Sequence, residues 1–267
     1  MKLTKTIGII GSGLVGKAVA RLAVQAGYEV VVSNATGPES LAGFVEELGE
    51  SARAGTVDEA AAAGDIVTLS IPLPALESVP TASFEGKVVL DQTNYYPAFG
   101  ANEVLDSGEL TSSELVQKHL QGAKVVKGMH NQSWLHIKSN ARPHGASDRT
   151  TLPIAGDDAE AKSRITEFFD EIGFDVVDAG SLSESWRIEP STPIYFWPYA
   201  PSVPEGLSQD EAKEVYQGRG EPVSKEQAKK LIDEAERPSP IGGTFDGMPQ
   251  VHVDLFMEQA SAGTVNK

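Results

Sequence analysis

Apolar and polar positions fall into blocks that repeat down the first half of the chain. Thr6–Ile10 is a short, nearly continuous apolar run and predicts a strand buried on both faces. The following stretch carries apolar residues at Leu14, Ala18 and Leu22, and at Val19, Ala23 and Ala26, which is the spacing of a helical face. Residues 28–33 (YEVVVS) read as a second strand, a turn at 33–38 leads into a helix over about 39–48, and a short helix is expected over 57–64. Further strands are predicted at 65–71, 87–91 and 124–127. Thr111-Ser-Ser-Glu114 fits a capping box that opens a helix running to about Leu120. This alternation predicts a Rossmann-type α/β fold, a doubly wound parallel sheet, over residues 1–128.

The pattern restarts at 152–156 with a short strand. Asp157 and Asp158 then open a helix whose buried face is Ile165, Phe168, Phe169 and Ile172, and 175–179 forms a further strand, so residues 129–200 read as a small second α/β domain. Beyond Glu189 the composition shifts, with nine of the chain's 16 prolines lying between Pro190 and Pro249. Ser208-Gln-Asp-Glu211 and Ser224-Lys-Glu-Gln227 carry helix-start signatures, and 251–256 alternates like a last strand. This Pro-rich C-terminal extension, 201–267, lacks the apolar mass for its own core and is expected to wrap the body or a partner subunit.

Between the first strand and the first helix lies Gly11-Ser-Gly-Leu-Val-Gly16. In a strand–turn–helix setting Gly11 permits the tight turn, Gly13 lets the backbone approach a pyrophosphate, and Gly16 lets helix and strand pack closely. The N–H groups of Ser12, Gly13, Leu14 and Val15, with the positive end of the helix dipole, would then face the phosphates. An NAD-specific protein usually ends its second strand in Asp or Glu for the ribose 2′-hydroxyl, but Ser33 and Asn34 stand there instead, which favours NADP. No Lys or Arg lies between Arg21 and Arg53, so a 2′-phosphate would have to be held by Ser33, Asn34, Thr36 and helix N-terminal N–H groups.

Ligands in open parallel sheets lie beyond the carboxyl ends of the strands. That puts Ser70, Ile71 and Pro72 along the ribose and nicotinamide, and Asn94, within Gln92-Thr-Asn-Tyr-Tyr-Pro97, beside the nicotinamide carboxamide or a substrate.

The bulk properties narrow the classes. A net charge of −16 without any basic block argues against nucleic acid and anionic membranes as partners. Without cysteine there is no disulfide or thiol chemistry. No apolar run reaches membrane-spanning length, and the expected location is cytoplasmic. His130 and His136 lack metalloprotease spacing and there is no G-x-S-x-G elbow, so neither a metal site nor a serine hydrolase is expected.

Taken in order, these motifs carry a resemblance. The glycine turn, Ser33-Asn34 with Gly37-Pro-Glu-Ser40, Asp91 with Asn94-Tyr-Tyr-Pro97, Val125-Val-Lys127, Pro153-Ile-Ala-Gly-Asp-Asp158 and 173–180 together resemble the coenzyme F420-dependent NADP reductase family. The nucleotide-binding domain of the STEAP ferric reductases is related. The resemblance covers about residues 5–195. It implies an NADP(H)-binding Rossmann domain, a small second domain closing the cleft, a homodimer, and hydride transfer between nicotinamide C4 and a deazaflavin or flavin. The chain departs from the family at Thr36, where many relatives carry Arg, at Gly128-Met-His-Asn131, and at Tyr195-Phe-Trp-Pro198. Met129, His130, Asn131, Trp134, Tyr195 and Trp197 are accordingly the expected contacts of a small-molecule acceptor.

Three chemistries remain open at this point. Ring-to-ring hydride transfer needs close parallel rings and no strong acid or base. Reduction of a small carbonyl or imine needs a proton donor, for which His130 is the candidate, and Asn94 is the other candidate catalytic residue. A nucleotide-binding sensor would have its acceptor pocket blocked, by Tyr195, Phe196 or Trp197.

Overall fold

The structure, a computed structural model, describes residues 5–261. Its centre is one eight-stranded sheet: β1 (Thr6–Ile10), β2 (Glu29–Ser33), β3 (Ala52–Ala54), β4 (Ile66–Leu69), β5 (Val88–Asp91), β6 (Lys124–Gly128), β7 (Thr151–Gly156) and β8 (Asp175–Asp178). The order is β3-β2-β1-β4-β5-β6-β7-β8. The first six are parallel, and β7 runs antiparallel to β6 with β8 parallel to β7. Strands β1, β4 and β5 are buried on both faces, which is why they read as apolar runs.

Helices α1 (Leu14–Gln25), α2 (Ala42–Leu48) and α3 (Val57–Ala63) connect the first strands. Next come α4 (Glu103–Asp106), α5 (Ser112–His119), α6 (Trp134–Asn140) and α7 (Ala159–Glu171), then α8 (Gln209–Gln217), α9 (Lys225–Asp233) and α10 (Gln250–Ser261). The capping signatures mark real starts. Thr111 and Glu114 exchange both capping-box hydrogen bonds, as do Ser208 and Glu211, and Ser224 accepts from the Gln227 N–H.

Two expectations need correction. The second domain at 129–200 has no core of its own. Strands β7 and β8 extend the sheet past β6, and Ile154, Phe168, Phe169 and Phe174 share one apolar cluster with Ile9, Val19 and Leu90, so residue 128 lies inside a continuous sheet. Residues 251–256 form not a strand but part of α10. The alternation there is short, and Val251 and Leu255, four apart, pack together at helical spacing against Phe196, Ala200 and Tyr216. Of the two expected placements for the extension, the structure has it on the body of its own chain: the Thr151 N–H donates to the Val223 carbonyl at 2.7 Å, and α9 packs on β7 and β8. The three-residue strand β3, Ala-Arg-Ala, carries no apolar run and was not foreseen. Among the described residues no helix is long and apolar enough to cross a membrane.

Candidate functional site

The cleft opens along the carboxyl ends of β2, β1, β4 and β5, at the point where the strand order reverses. Its volume is about 1140 Å³, above the range of about 300–1,000 Å³ usual for a single small-ligand pocket. Gly11 follows β1 with φ +100, and its N–H donates to the Ser33 carbonyl at 3.0 Å. A Cβ there would collide with the Ser70 carbonyl and one at Gly16 with the Gly11 carbonyl, whereas a Cβ at Gly13 would meet nothing. At Gly11 and Gly16 any side chain would strike backbone, while the space beside Gly13 is open. Gly13 caps α1 with no side-chain acceptor, so the first-turn N–H groups have no capping partner and face the cleft.

Gly11, Ser12, Gly13, Leu14, Val15, Asn34, Thr36, Ser70, Ile71, Pro72 and Asn94 all line the cleft, and Trp134 joins them from α6. Ser33 does not. Its side chain is fully buried and donates to the Ile9 carbonyl, because β2 is an interior strand and its last hydroxyl must be satisfied within the sheet. Gly16 lies behind the turn as a packing residue. Asn34 has a structural duty too. Its Oδ1 accepts from the Thr36 and Gly37 N–H groups at 3.0 and 2.9 Å, and its Nδ2 donates to Ser12 Oγ at 3.2 Å, tying the loop after β2 to the glycine turn. Among the described residues, the side chains lining the cleft include no Lys, Arg, Asp, Glu or His, so an anion there meets amides and hydroxyls rather than a cation.

Several expected acceptor contacts lie elsewhere. Met129, His130 and Asn131 are buried beside the cleft rather than in it, because Met129 takes a left-handed conformation (φ 51) that turns the chain inward. The His130 Nε2–H donates to the Ile188 carbonyl at 2.7 Å, which fixes the tautomer. Burial, and secondarily Lys127, hold its pKa well below the usual histidine value, so the ring is neutral. His130 is therefore corrected as a proton donor.

What this segment contributes is backbone. The Met129 carbonyl accepts from Gln92 Nε2 at 3.5 Å, and the His130 carbonyl accepts from Asn94 Nδ2 at 3.1 Å. The Oδ1 of Asn94 is left with no partner. Tyr195 touches the site only through its hydroxyl, 2.8 Å from that of Tyr96, and burial raises the pKa of both phenols. Trp197 is exposed, packs edge-on against Phe196 and does not line the cleft, so neither Tyr195 nor Trp197 is a wall residue. Gln92 and Tyr96, part of the expected cluster after β5, also line the cleft, and so do Phe99 and Phe256, which the sequence pattern does not single out. Phe99 follows that motif by two residues and is within reach of the same argument, whereas Phe256 is not.

An open, mostly parallel sheet with a glycine turn at its switch point defines a Rossmann-type fold. Residues 6–95 match the family described as "NADP oxidoreductase coenzyme F420-dependent". The chain is 37% identical over 59 residues to the Escherichia coli protein YjhV, a match covering 22% of this chain and 43% of that protein, less than half of the relative's length. Hypothetical protein SMa0349 from Sinorhizobium meliloti aligns at 28% identity over 72% of this chain and 93% of its own, with a TM-score of 0.63. A candidate F420-dependent NADP reductase from Arthrobacter shares the fold at 20% identity, covering 68% of this chain and 86% of its own, with a TM-score of 0.58.

Proposed function

We propose that the protein binds NADP(H) along the carboxyl edge of the sheet and transfers a hydride between nicotinamide C4 and a flat acceptor, a deazaflavin or flavin. The adenosine half would lie toward the loop after β2, the pyrophosphate on the glycine turn, and the nicotinamide near Ser70, Gln92 and Asn94. The unpartnered Oδ1 of Asn94 suits the carboxamide N–H₂ of the nicotinamide. A uniformly uncharged lining, with aromatic rings at one end and no ionisable acid beyond a phenol, carries this reading. Ring-to-ring hydride transfer asks for positioning rather than a strong acid or base, and such walls suit it.

A carbonyl or imine acceptor is the second reading. It now requires a donor other than His130, and Tyr96, whose hydroxyl meets that of Tyr195, is the available acid. The sensor reading called for an acceptor pocket filled by Tyr195, Phe196 or Trp197, whereas none of the three lines the open cleft.

The test follows loss of NADPH absorbance with panels of deazaflavin, flavin and carbonyl compounds. Turnover with the flat acceptors is the expected result. Oxidation by small ketones alone would reject the deazaflavin and flavin reading, and tight NADPH binding without turnover on any panel would favour a sensor.

A further inference from the structure

The family match ends at residue 95, yet one end of the cleft is built from residues far beyond it. Strand order places the loop after β2 at one end of the carboxyl edge and the chain leaving β6 at the other. At that far end Trp134 opens α6 and Phe256 comes from α10, their rings meeting 5.9 Å apart at 64°. Other side chains anchor α10. His252, one helical turn before Phe256, is buried with its ring 4.9 Å from both Trp134 and Phe196, and its Nδ1 pairs with the Tyr216 hydroxyl at 3.2 Å. Leu255 is buried as well. Phe256 itself remains 39% exposed, so a firmly held helix presents to the cleft a ring that the core does not use.

Tyr96 and Phe99 line the cleft from the loop after β5. Residues 242–245 brace that loop: the Gly243 N–H donates to the Tyr95 carbonyl at 2.8 Å, and the Phe245 ring stacks on Tyr96 at 5.2 Å and 12°. A Cβ on Gly243 would run into the Tyr96 ring, so the segment passes as closely as glycine permits. The C-terminal extension thus shapes the cleft twice, directly through Phe256 and indirectly through the brace on Tyr96.

We propose that α10 forms the acceptor wall of the cleft and that Phe256 is a specificity-determining residue, selecting with Trp134, Tyr96 and Phe99 a planar unsaturated ring that carries no charge where it enters. The inference rests on the oxidoreductase reading above. Flat rings gain stacking contacts against aromatic faces that a compact aliphatic ketone cannot make. A phosphate or carboxylate at this end would lose its hydration with no cation to replace it.

Riboflavin and FMN, which share one ring system and differ by a phosphate, are titrated into protein saturated with NADP⁺, and quenching of flavin fluorescence is followed. Riboflavin is expected to bind, with FMN no tighter. Phe256→Ala is expected to weaken riboflavin by about tenfold while the Kd for NADP⁺ stays within about twofold, and Phe256→Tyr retains riboflavin affinity. The inference is overturned if Phe256→Ala leaves riboflavin affinity unchanged, if FMN is strongly preferred, or if NADP⁺-loaded wild type does not bind riboflavin. Failure of the wild-type protein to bind NADP⁺ at all would instead overturn the reading beneath it.

Discussion

Gly13 and Gly16 belong to one motif, yet the space around them separates their duties. A side chain at Gly13 would point into the open cleft, while one at Gly16 would strike the Gly11 carbonyl. Gly13→Asp should therefore keep the fold, with an unchanged Tm, and lose NADPH affinity by at least about a hundredfold, since a carboxylate would face the pyrophosphate. Gly16→Ala should instead lower Tm. Calorimetric titration alongside thermal unfolding separates the two outcomes. His130 shows where residue-level reading stops. Its place after β6 was legible as close to the hydride site, but whether the ring or the backbone faces the cleft depends on the left-handed turn at Met129, which no spacing announces. His130→Ala should slow flavin reduction by less than about fivefold while costing roughly 1–3 kcal/mol of stability, because the buried Ile188 carbonyl loses its donor. A kcat loss of a hundredfold with unchanged stability would restore the ring to the chemistry.

At the scale of elements, the strands were legible because burial on both faces leaves continuous apolar runs, and the helix starts because capping boxes are local. The register of β7 on β6 was not, because nothing in either sequence fixes which edge an added strand will join. α10 was misread because six alternating residues suit a strand as well as a helix until a partner surface decides. That partner surface makes the docking of α10 sensitive to acid. His252 is buried against aromatic rings, and burial, with the neighbouring His136, lowers its pKa to about 4 from an ordinary 6.5. The unfolded state thus takes up this proton first as pH falls. The stabilisation is complete above about pH 6.5, declines between 6.5 and 4, and is gone below 4, a change of at most about 3 kcal/mol. Trp134 fluorescence should report partial release of α10 across that window. His252→Gln should remove this portion of the pH dependence, leaving the background from carboxylates and from the buried His130 and His136, whose pKa values burial also lowers. An identical pH profile in the variant would show that His252 does not control the docking.

For the molecule as a whole, the question is what joins the carboxyl edge of the sheet to the chain that crosses behind it. A buried charged network does this. Lys127 on β6 is fully buried and donates to Asp91 on β5 at 3.4 Å, to Ser112 Oγ at 3.0 Å and to the Thr93 carbonyl. Ser112 passes the link to Glu189 at 2.7 Å, and Ser113 donates to Asp91 at 2.7 Å. Val125-Val-Lys127 was visible in the sequence as a strand; its lysine was not visible as the hub, because a lone cation at a strand end is more often solvated. The network ends one residue from Asn94, so it also sets the turn that carries the proposed nicotinamide contact. Lys127→Met would leave Asp91 buried without its cation, a loss of about 3–5 kcal/mol, or about 10 °C in Tm for a chain of this size. Pairing it with Asp91→Leu removes the stranded charge and should recover much of that loss. NADPH affinity should not recover with it, because the Thr93 carbonyl still lacks its donor and the Asn94 turn is no longer held. If stability and NADPH affinity returned together, the network would be a fold element alone; a separation of the two, read by thermal unfolding and nucleotide titration on the same variants, identifies Lys127 as the residue that couples the core to the cleft.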